Sequence, residues 1–368
     1  MSDQKQQPTL YSTGADAVIA AFRNQARYCR ANDAPITGRV VEILGTALER
    51  GVGGQFLGRI RSWQGTPLAD ALPLRAAGGF HALHLMGDEP ALSAVYHGEV
   101  VDEAAVLGEV LVRREAELLS WLDGPPQTNE AGRSSNFILA MLWLAERGLP
   151  PHFECLEIGS SAGINLMIDR YRYELRGVTV GPEDGSMTFA PEWRGPPPPD
   201  HPIMFASLRG CDVAPVDLAD PAQALRLKAY IWPEHHMRFA RMDTAIEAAT
   251  SRKPDMVRMN AAEFVEAELA KPQQPGTTRV LMHSIVWQYV PTDQKERVTA
   301  AMEAASSNAT ADCPLAWISL EANNTLAVHE LTVRYWPGGE QRLQLGVAHA
   351  HGAWLEYFAE PLSSLWPD

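Results

Sequence analysis

Before Phe153 the chain offers no convincing strand; after it, five apolar runs of strand length alternate with helical ones. The strand-like runs are Phe153–Ile158, Ile203–Arg209, Met256–Met259, Arg279–Ser284 and Leu315–Leu320. Helical runs at Pro221–Tyr230, His235–Thr250, Ala262–Leu269 and Thr292–Ala305 separate most of them. Strands joined through helices must cross over and return in the same direction, so this order predicts a mainly parallel sheet. The first part reads as helix throughout: Ala15–Ala31 sets Val18, Ile19, Phe22 and Ala26 at helical spacing, and Ile36–Leu48, Glu103–Leu122 and Asn136–Leu149 follow suit. The expected division is therefore a helical cap region over 1–150 and an α/β core over 151–368.

Two stretches break the alternation. Leu331, Val333 and Tyr335 alternate with polar residues, as do Leu343, Leu345 and Val347, with Pro337-Gly338-Gly339 between them. That is the pattern of a terminal β-hairpin. Residues 177–202 carry Pro196-Pro-Pro-Pro199 and read as an irregular surface insertion of polyproline character.

The chemistry concentrates at Phe153-Glu-Cys-Leu-Glu-Ile-Gly-Ser-Ser-Ala-Gly-Ile-Asn-Leu166, a strand, a small-residue turn and a helical run from Ile164 to Tyr171. Such a turn brings backbone N–H groups near a ligand, and Glu157 adds a carboxylate at the strand's end. Gly159-Ser-Ser161-Ala-Gly163 also matches a nucleophile elbow, with Ser161 as nucleophile, His349 or His351 as base and Asp212 or Glu321 as the acid. Against that reading, that fold places several strands ahead of the elbow, and none is visible before Phe153. Dinucleotide binding fits less well, because the full G-x-G-x-x-G spacing is missing.

Other groups have a bland and a functional reading. Thr128-Asn129-Glu130 caps a helix or, with Arg133 one turn on, binds substrate where cap and core meet. His283 ends the fourth strand, where it is a candidate general base or a buried structural histidine. Tyr289 lines the same pocket or packs. His349 and His351, two apart, face one way in extended chain and suit substrate positioning; two ligands do not make a zinc site, and no metal is expected. The net charge of −14 opposes nucleic-acid binding and points to a small-molecule substrate. No run of about 18 apolar residues predicts a membrane span. Cys29, Cys155, Cys211 and Cys313 form no metal-type pair; Cys155 and Cys313 read as buried thiols, and a reducing cytoplasm suits all four.

The order of helices, five strand–helix units and an antiparallel end resembles the class I S-adenosylmethionine-dependent methyltransferase fold, over roughly the last three-fifths of the chain. The resemblance implies a Rossmann-like seven-stranded sheet and S-adenosylmethionine as cofactor. It implies that Glu157, Gly159, Ser161 (where the family has glycine) and Gly163 surround the cofactor's amino-acid end. Asp212 of Arg209-Gly-Cys-Asp212 then takes the ribose, Asn260 and Ala261 the adenine, and His283 lies beside the transferred methyl. No Asp/Asn-Pro-Pro-aromatic run follows the fourth strand, which counts against nucleobase amino-methylation. A second resemblance spans nearly the whole chain. Thr128–Arg133, Glu157–Leu166 with Asp169–Tyr173, Gly210–Asp217, Trp232-Pro-Glu with Arg238, Trp336-Pro-Gly-Gly and His349–Trp354 together resemble an uncharacterised bacterial family, domain of unknown function 2332. It implies no established reaction.

Overall fold

The computed structural model describes residues 12–323 and 328–363. The chain divides into two compact units, Met1–Thr128 with Asp220–Ala240, and Asn129–Ala219 with Arg241–Asp368.

The described part of the first unit is helical: α1 (Ala15–Ala31), α2 (Pro35–Glu49), α3 (Gln55–Arg61), α4 (Leu72–Met86), α5 (Pro90–Tyr96), α6 (Glu103–Arg113), α7 (Glu115–Leu119) and, from the later segment, α9 (Pro221–Ala229). The apolar stripes of these helices meet in one core that includes Phe22, Val40, Leu44, Phe56, Phe80 and Leu107. A side chain at Gly45 would place its Cβ 3.1 Å from Cβ of Phe22, so glycine there lets α1 and α2 approach closely. The Trp232-Pro233-Glu234 block serves this unit. Glu234 Oε1 accepts from the N–H groups of Ile36 (2.5 Å) and Thr37 (3.3 Å), capping α2, whose N-terminal residue is a proline. Trp232 meets Tyr28 edge-on at 6.1 Å.

The second unit begins with α8 (Ser134–Glu146), in which every residue from Ser134 to Ala145 is buried. Its strands are β1 (His152–Ile158), β2 (Arg172–Leu175), β3 (Val178–Val180), β4 (Thr188–Phe189), β5 (Glu192–Arg194), β6 (Met204–Asp212), β7 (Asp255–Arg258), β8 (Thr278–Ser284), β9 (Leu315–Asn323), β10 (Val328–Trp336), β11 (Gly339–Ala348) and β12 (Trp354–Ser363). The helix α10 (His236–Ser251) straddles the division, and α11 (Ala261–Leu269) and α12 (Thr292–Ser306) belong to this unit.

The main sheet has nine strands in the order β5-β12-β11-β10-β9-β8-β1-β6-β7. From β7 to β9 all pairs are parallel, as the alternation with helices predicts. From β9 to β12 the chain is an antiparallel meander, and β5 adds to β12 at the edge. Seven strands were expected. The two others come from β12, which extends the hairpin β10–β11, and from the 177–202 stretch. That stretch is less irregular than its prolines suggest: it also supplies β3 and β4, which join β2 in a small sheet ordered β3-β2-β4. The run after Gly163 is a 3-10 helix, Ile164–Arg170, not an α-helix.

Two features of this sheet position the site. The parallel strands proceed β1, β6, β7 in one direction and β8, β9 in the other, so the order reverses between β1 and β8. Ligands of open parallel sheets bind beyond the carboxyl ends of the strands at such a reversal. Leu156, Ile158, Leu281, Leu315 and Trp317 pack with Phe264, Val298 and Met302 from α11 and α12. Alternation along β1 turns Glu157 to the opposite face.

Candidate functional site

The turn after β1 is compressed by three left-handed residues: Gly159 (φ 66), Ser161 (φ 55) and Gly163 (φ 71). Protein side chains take up the space that the glycines leave. A Cβ on Gly159 would lie 2.2 Å from Cγ2 of Val286, and one on Gly163 2.7 Å from Cβ of Pro254. The turn is bolted to the loop after β6. Asp212 accepts from the N–H of Ser161 through Oδ2 and from that of Ala214 through Oδ1, both at 2.8 Å. Ser160 donates its N–H to the carbonyl of Cys211 at 3.0 Å, and Val216 to that of Ser161 at 2.9 Å.

Glu157 is 1% exposed. Its Oε1 accepts from Nδ2 of Asn165 at 2.8 Å, and its Oε2 is buried with no hydrogen-bond partner. Burial pushes the carboxyl from 4.5 up to about 7, against the hydrogen bonds of Asn165 and Ser160 and the positive charge of Arg133. Ser161 Oγ and Asn165 Oδ1 are likewise buried without a partner. Three polar atoms that can accept a hydrogen bond thus surround one turn, each desolvated and without a donor.

A strap over Asn129–Arg133 crosses this end of the sheet. Asn129 Oδ1 accepts from the N–H of Ile164 at 3.0 Å and so caps the 3-10 helix. Glu130 Oε1 accepts from the N–H of Gly132 at 3.4 Å and lies 3.6 Å from Nη1 of Arg241. Arg133 donates through Nε to the carbonyl of Ala350 at 2.9 Å. These contacts bear out the capping reading of the strap, and the charge of Arg133 reaches Glu157.

His283 does not have the freedom expected of a general base. Nδ1 is 2.7 Å from Glu321 Oε1, and the indole of Trp317 donates to Nε2 at 3.0 Å. An indole N–H only donates, so Nε2 must be the acceptor and Nδ1 must carry the proton. Both nitrogens of this buried ring are therefore committed. Glu321 Oε1 also accepts from the N–H groups of Val286 and Trp287, each at 3.2 Å. That carboxylate holds a loop in which Ile285 is left-handed (φ 53), a costly conformation for a β-branched residue. The same loop carries Val286 onto Gly159 and leaves Tyr289 71% exposed.

His349 and His351 were expected in extended chain facing one way. They lie in the turn between β11 and β12, which closes through the N–H of Gly352 on the carbonyl of His349. Their rings are 5.4 Å apart at 74°. The backbone N–H of His351 donates to His349 Nδ1 at 3.2 Å, so the neutral ring of His349 carries its proton on Nε2. Asn260 caps α11 by accepting from the N–H of Glu263 at 3.0 Å, and Ala261 is that helix's first residue. Cys155 is buried as expected, whereas Cys313 is only half-buried.

Among the described residues no group of three or more His, Cys, Asp or Glu is arranged to hold a metal ion, and no helix is long and apolar enough to cross a membrane. Residues 19–357 match a family described as an uncharacterized protein conserved in bacteria, DUF2332. The chain belongs to that family. No curated protein and no solved structure matches it.

Sequence reasoning passed over Asn165 and His329 in this DUF2332 protein and gave Glu321 a different part. Asn165, two positions after Gly163, carried a signal: an amide in an apolar run must find a buried partner, and it finds Glu157. Glu321 was considered only as the acid of a hydrolase triad, whereas it accepts from His283 on β8 and from two backbone N–H groups of the loop that follows. His329 carried none, because its place depends on β10 pairing with both β9 and β11.

Proposed function

We propose that this DUF2332 protein binds S-adenosylmethionine beyond the end of β1 and transfers its methyl group to a small-molecule acceptor. The observation that carries the reading is the set of three buried atoms without donors, Glu157 Oε2, Asn165 Oδ1 and Ser161 Oγ. The ammonium of S-adenosylmethionine supplies the hydrogen-bond donors they lack, and its sulfonium adds positive charge beside the Glu157 carboxylate. A carboxylate poised near neutrality ionises when such a cation arrives.

Asp212 stands at the end of β6, next to β1, where a ribose would lie in a methyltransferase-like core. Each of its oxygens has given one lone pair to the backbone and keeps another for a hydroxyl. The glycine spaces are taken by Val286 and Pro254, so the glycines shape the turn and ligand contact falls to its polar atoms. Once bound, the cofactor supplies an electrophilic methyl group. The protein's part is placement: Glu157, Asn165 and Ser161 hold the cation, Asp212 the sugar, and the loop held by Glu321 covers the turn. His283 orients that carboxylate and takes no proton from the acceptor. An acceptor nucleophilic enough to need no protein base suits this arrangement.

The left-handed Ser161 is the observation that favours the serine-hydrolase alternative. Its Oγ has no hydrogen-bond partner among the described residues, and the acids of that alternative are engaged elsewhere, Asp212 by backbone N–H groups and Glu321 by His283. A further alternative is a non-catalytic nucleotide-binding or interaction protein that kept the fold and lost the reaction; in its nucleotide-binding form it shares the cofactor site and differs only in turnover.

Calorimetry with S-adenosylmethionine and S-adenosylhomocysteine tests the reading. Affinity should rise with pH up to neutrality and fall on Glu157→Gln and on Asp212→Ala. Saturation at about 100 times Kd should stabilise the fold by about 2.7 kcal/mol. If neither compound stabilises the protein at millimolar concentration, the reading is wrong. A fluorophosphonate probe that labels the wild type and not Ser161→Ala would put hydrolysis in its place.

A further inference from the structure

We infer that the first unit carries a binding site of its own for an oxyanion, a phosphate or a carboxylate, formed by Arg226, Trp121 and Tyr230 and backed by Arg75. The site lies wholly within that unit and is independent of the methyl-transfer reading.

Measured contacts bring these residues together. Arg226 lies in the last turn of α9 and Tyr230 caps its C-terminus; four positions apart, they share one face. Both meet Trp121 of the 3-10 turn Ser120–Leu122. The Arg226 guanidinium lies 4.7 Å from the centre of the indole, and the Tyr230 ring meets that indole edge-on, with centroids 5.4 Å apart at 66°. Arg75 on α4 donates through Nη1 to the carbonyl of Leu122, the residue after Trp121, at 3.1 Å. Glycines one turn beyond Arg75 open α4 to the rings. A Cβ on Gly78 would lie 2.7 Å from Cε1 of Tyr230 and 3.4 Å from Cε3 of Trp121, and one on Gly79 3.1 Å from Cγ of Trp121. Glycine weakens a helix interior, so α4 gives up stability where it seats these rings.

The donors at this place lack acceptors. The Tyr230 hydroxyl is buried with no hydrogen-bond partner, and the residue is 8% exposed. The half-buried Arg226 rests its guanidinium on the indole and makes no hydrogen bond or ion pair among the described residues. A guanidinium over an aromatic face keeps its in-plane N–H fork for a ligand. Arg75, 8% exposed, also makes no ion pair among the described residues; its Nε and Nη1 donate to neutral carbonyls, those of Asp70 at 2.7 Å and Leu122. The carboxylates of this region hold donors of their own. Asp70 Oδ2 accepts from the indole of Trp63 at 2.7 Å, and Asp123 Oδ1 pairs with Arg59 Nη1 at 2.7 Å. In a chain of net charge −14, two arginines without a carboxylate beside one pair of rings mark a place where the missing anion comes from outside. Burial pulls Arg75 below its ordinary value and pushes Tyr230 above its own, with Arg226 and then Arg75 opposing the rise at Tyr230. An oxyanion accepts from the fork and the phenol together, in charge-assisted hydrogen bonds.

The test is NMR of the full chain with isotope-labelled tryptophan, read at the indole N–H of Trp121, with Trp121→Phe to assign the signal. The protein is titrated with sodium phosphate and separately with sodium acetate, each against sodium chloride of equal ionic strength. The Trp121 signal should move saturably in at least one of the two oxyanions and not in chloride. Phosphate alone doing so identifies a phosphate-bearing ligand, and acetate alone a carboxylate. Arg226→Gln should abolish the movement. Arg226→Lys, which keeps the charge and loses the fork, should retain it at several-fold higher anion concentration and covers the case in which the glutamine variant does not fold. Tyr230→Phe removes only an oxygen that has no partner, so the variant should fold and should bind the anion several-fold more weakly. Movement identical in chloride and in both oxyanions, or unchanged in a folded Arg226→Gln, or unchanged in Tyr230→Phe, would overturn the site.

Discussion

Replacing Glu157 by glutamine should make the protein more stable above neutrality and leave it nearly unchanged in mild acid. The carboxyl has a folded-state value of about 7 against 4.5 in exposed chain, because burial penalises its charge. A raised acid binds its proton more tightly in the folded state, so its contribution to stability is present below the unfolded value and is lost as pH rises through the folded one. With about 1.36 kcal/mol per pKa unit, the full penalty above pH 7 is of order 3 kcal/mol, and about 2.5 kcal/mol of it develops between pH 5 and pH 8. Glutamine has nearly the same shape, can accept from Asn165 and never ionises, so it escapes that term. The assay is urea denaturation of wild type and variant across this range. The difference between the two curves cancels every other titrating group, provided the slopes agree. The expected result is a difference that grows in favour of the variant as pH rises from about 4.5 to about 7 and levels off above neutrality. A pH-independent difference would refute the reasoning and show that the carboxylate is solvated or paired in solution.

His81, buried in the first unit with Nδ1 2.9 Å from the carbonyl of Ala229, is held down at about 4 by burial. It must charge on unfolding in mild acid, so stability should fall as pH drops from 6.5 through 4, and acid unfolding curves of His81→Gln should be flatter over that window. Glu321→Gln should cost about 1.5–3 kcal/mol, since it weakens a charged acceptor of three buried donors, and hydrogen exchange at the amides of Val286 and Trp287 should accelerate. Unchanged exchange there would remove Glu321 as the anchor of that loop. Gly159→Ala should cost about 2–4 kcal/mol, from a left-handed backbone and a collision with Val286, and Val286→Ala in the same chain should recover part of it. Thermal melts of the two single variants and the double would show additivity if the two residues do not touch.

Much of the second unit was legible because parallel strands buried on both faces are written as continuous apolar runs. Phe153–Ile158 and Arg279–Ser284 appear as β1 and β8 to within a residue. β12 and β5 were missed for the complementary reason. β5 is the edge strand and covers only Trp354–Glu356 of β12, so in Glu192–Arg194 and in Trp354–Ser363 mixed, half-exposed residues replace the apolar pattern. The cap of α2 by Glu234 shows the same limit, since capping side chains are recognisable when they precede their helix and this one comes from 198 positions away.

The order of strands and helices, the compressed turn behind Glu157 and the absence of a metal-type cysteine pair follow from local residue pattern, because backbone preference and hydrophobic period act over a few residues. What each polar group does was decided by tertiary contact. Trp317 and Glu321 occupy the ring that local pattern offered as a base, and burial raises the acid that local pattern offered as a simple carboxylate. Protonation and hydrogen bonding depend on which atoms share a desolvated space, and that is a property of the folded chain rather than of any stretch of it.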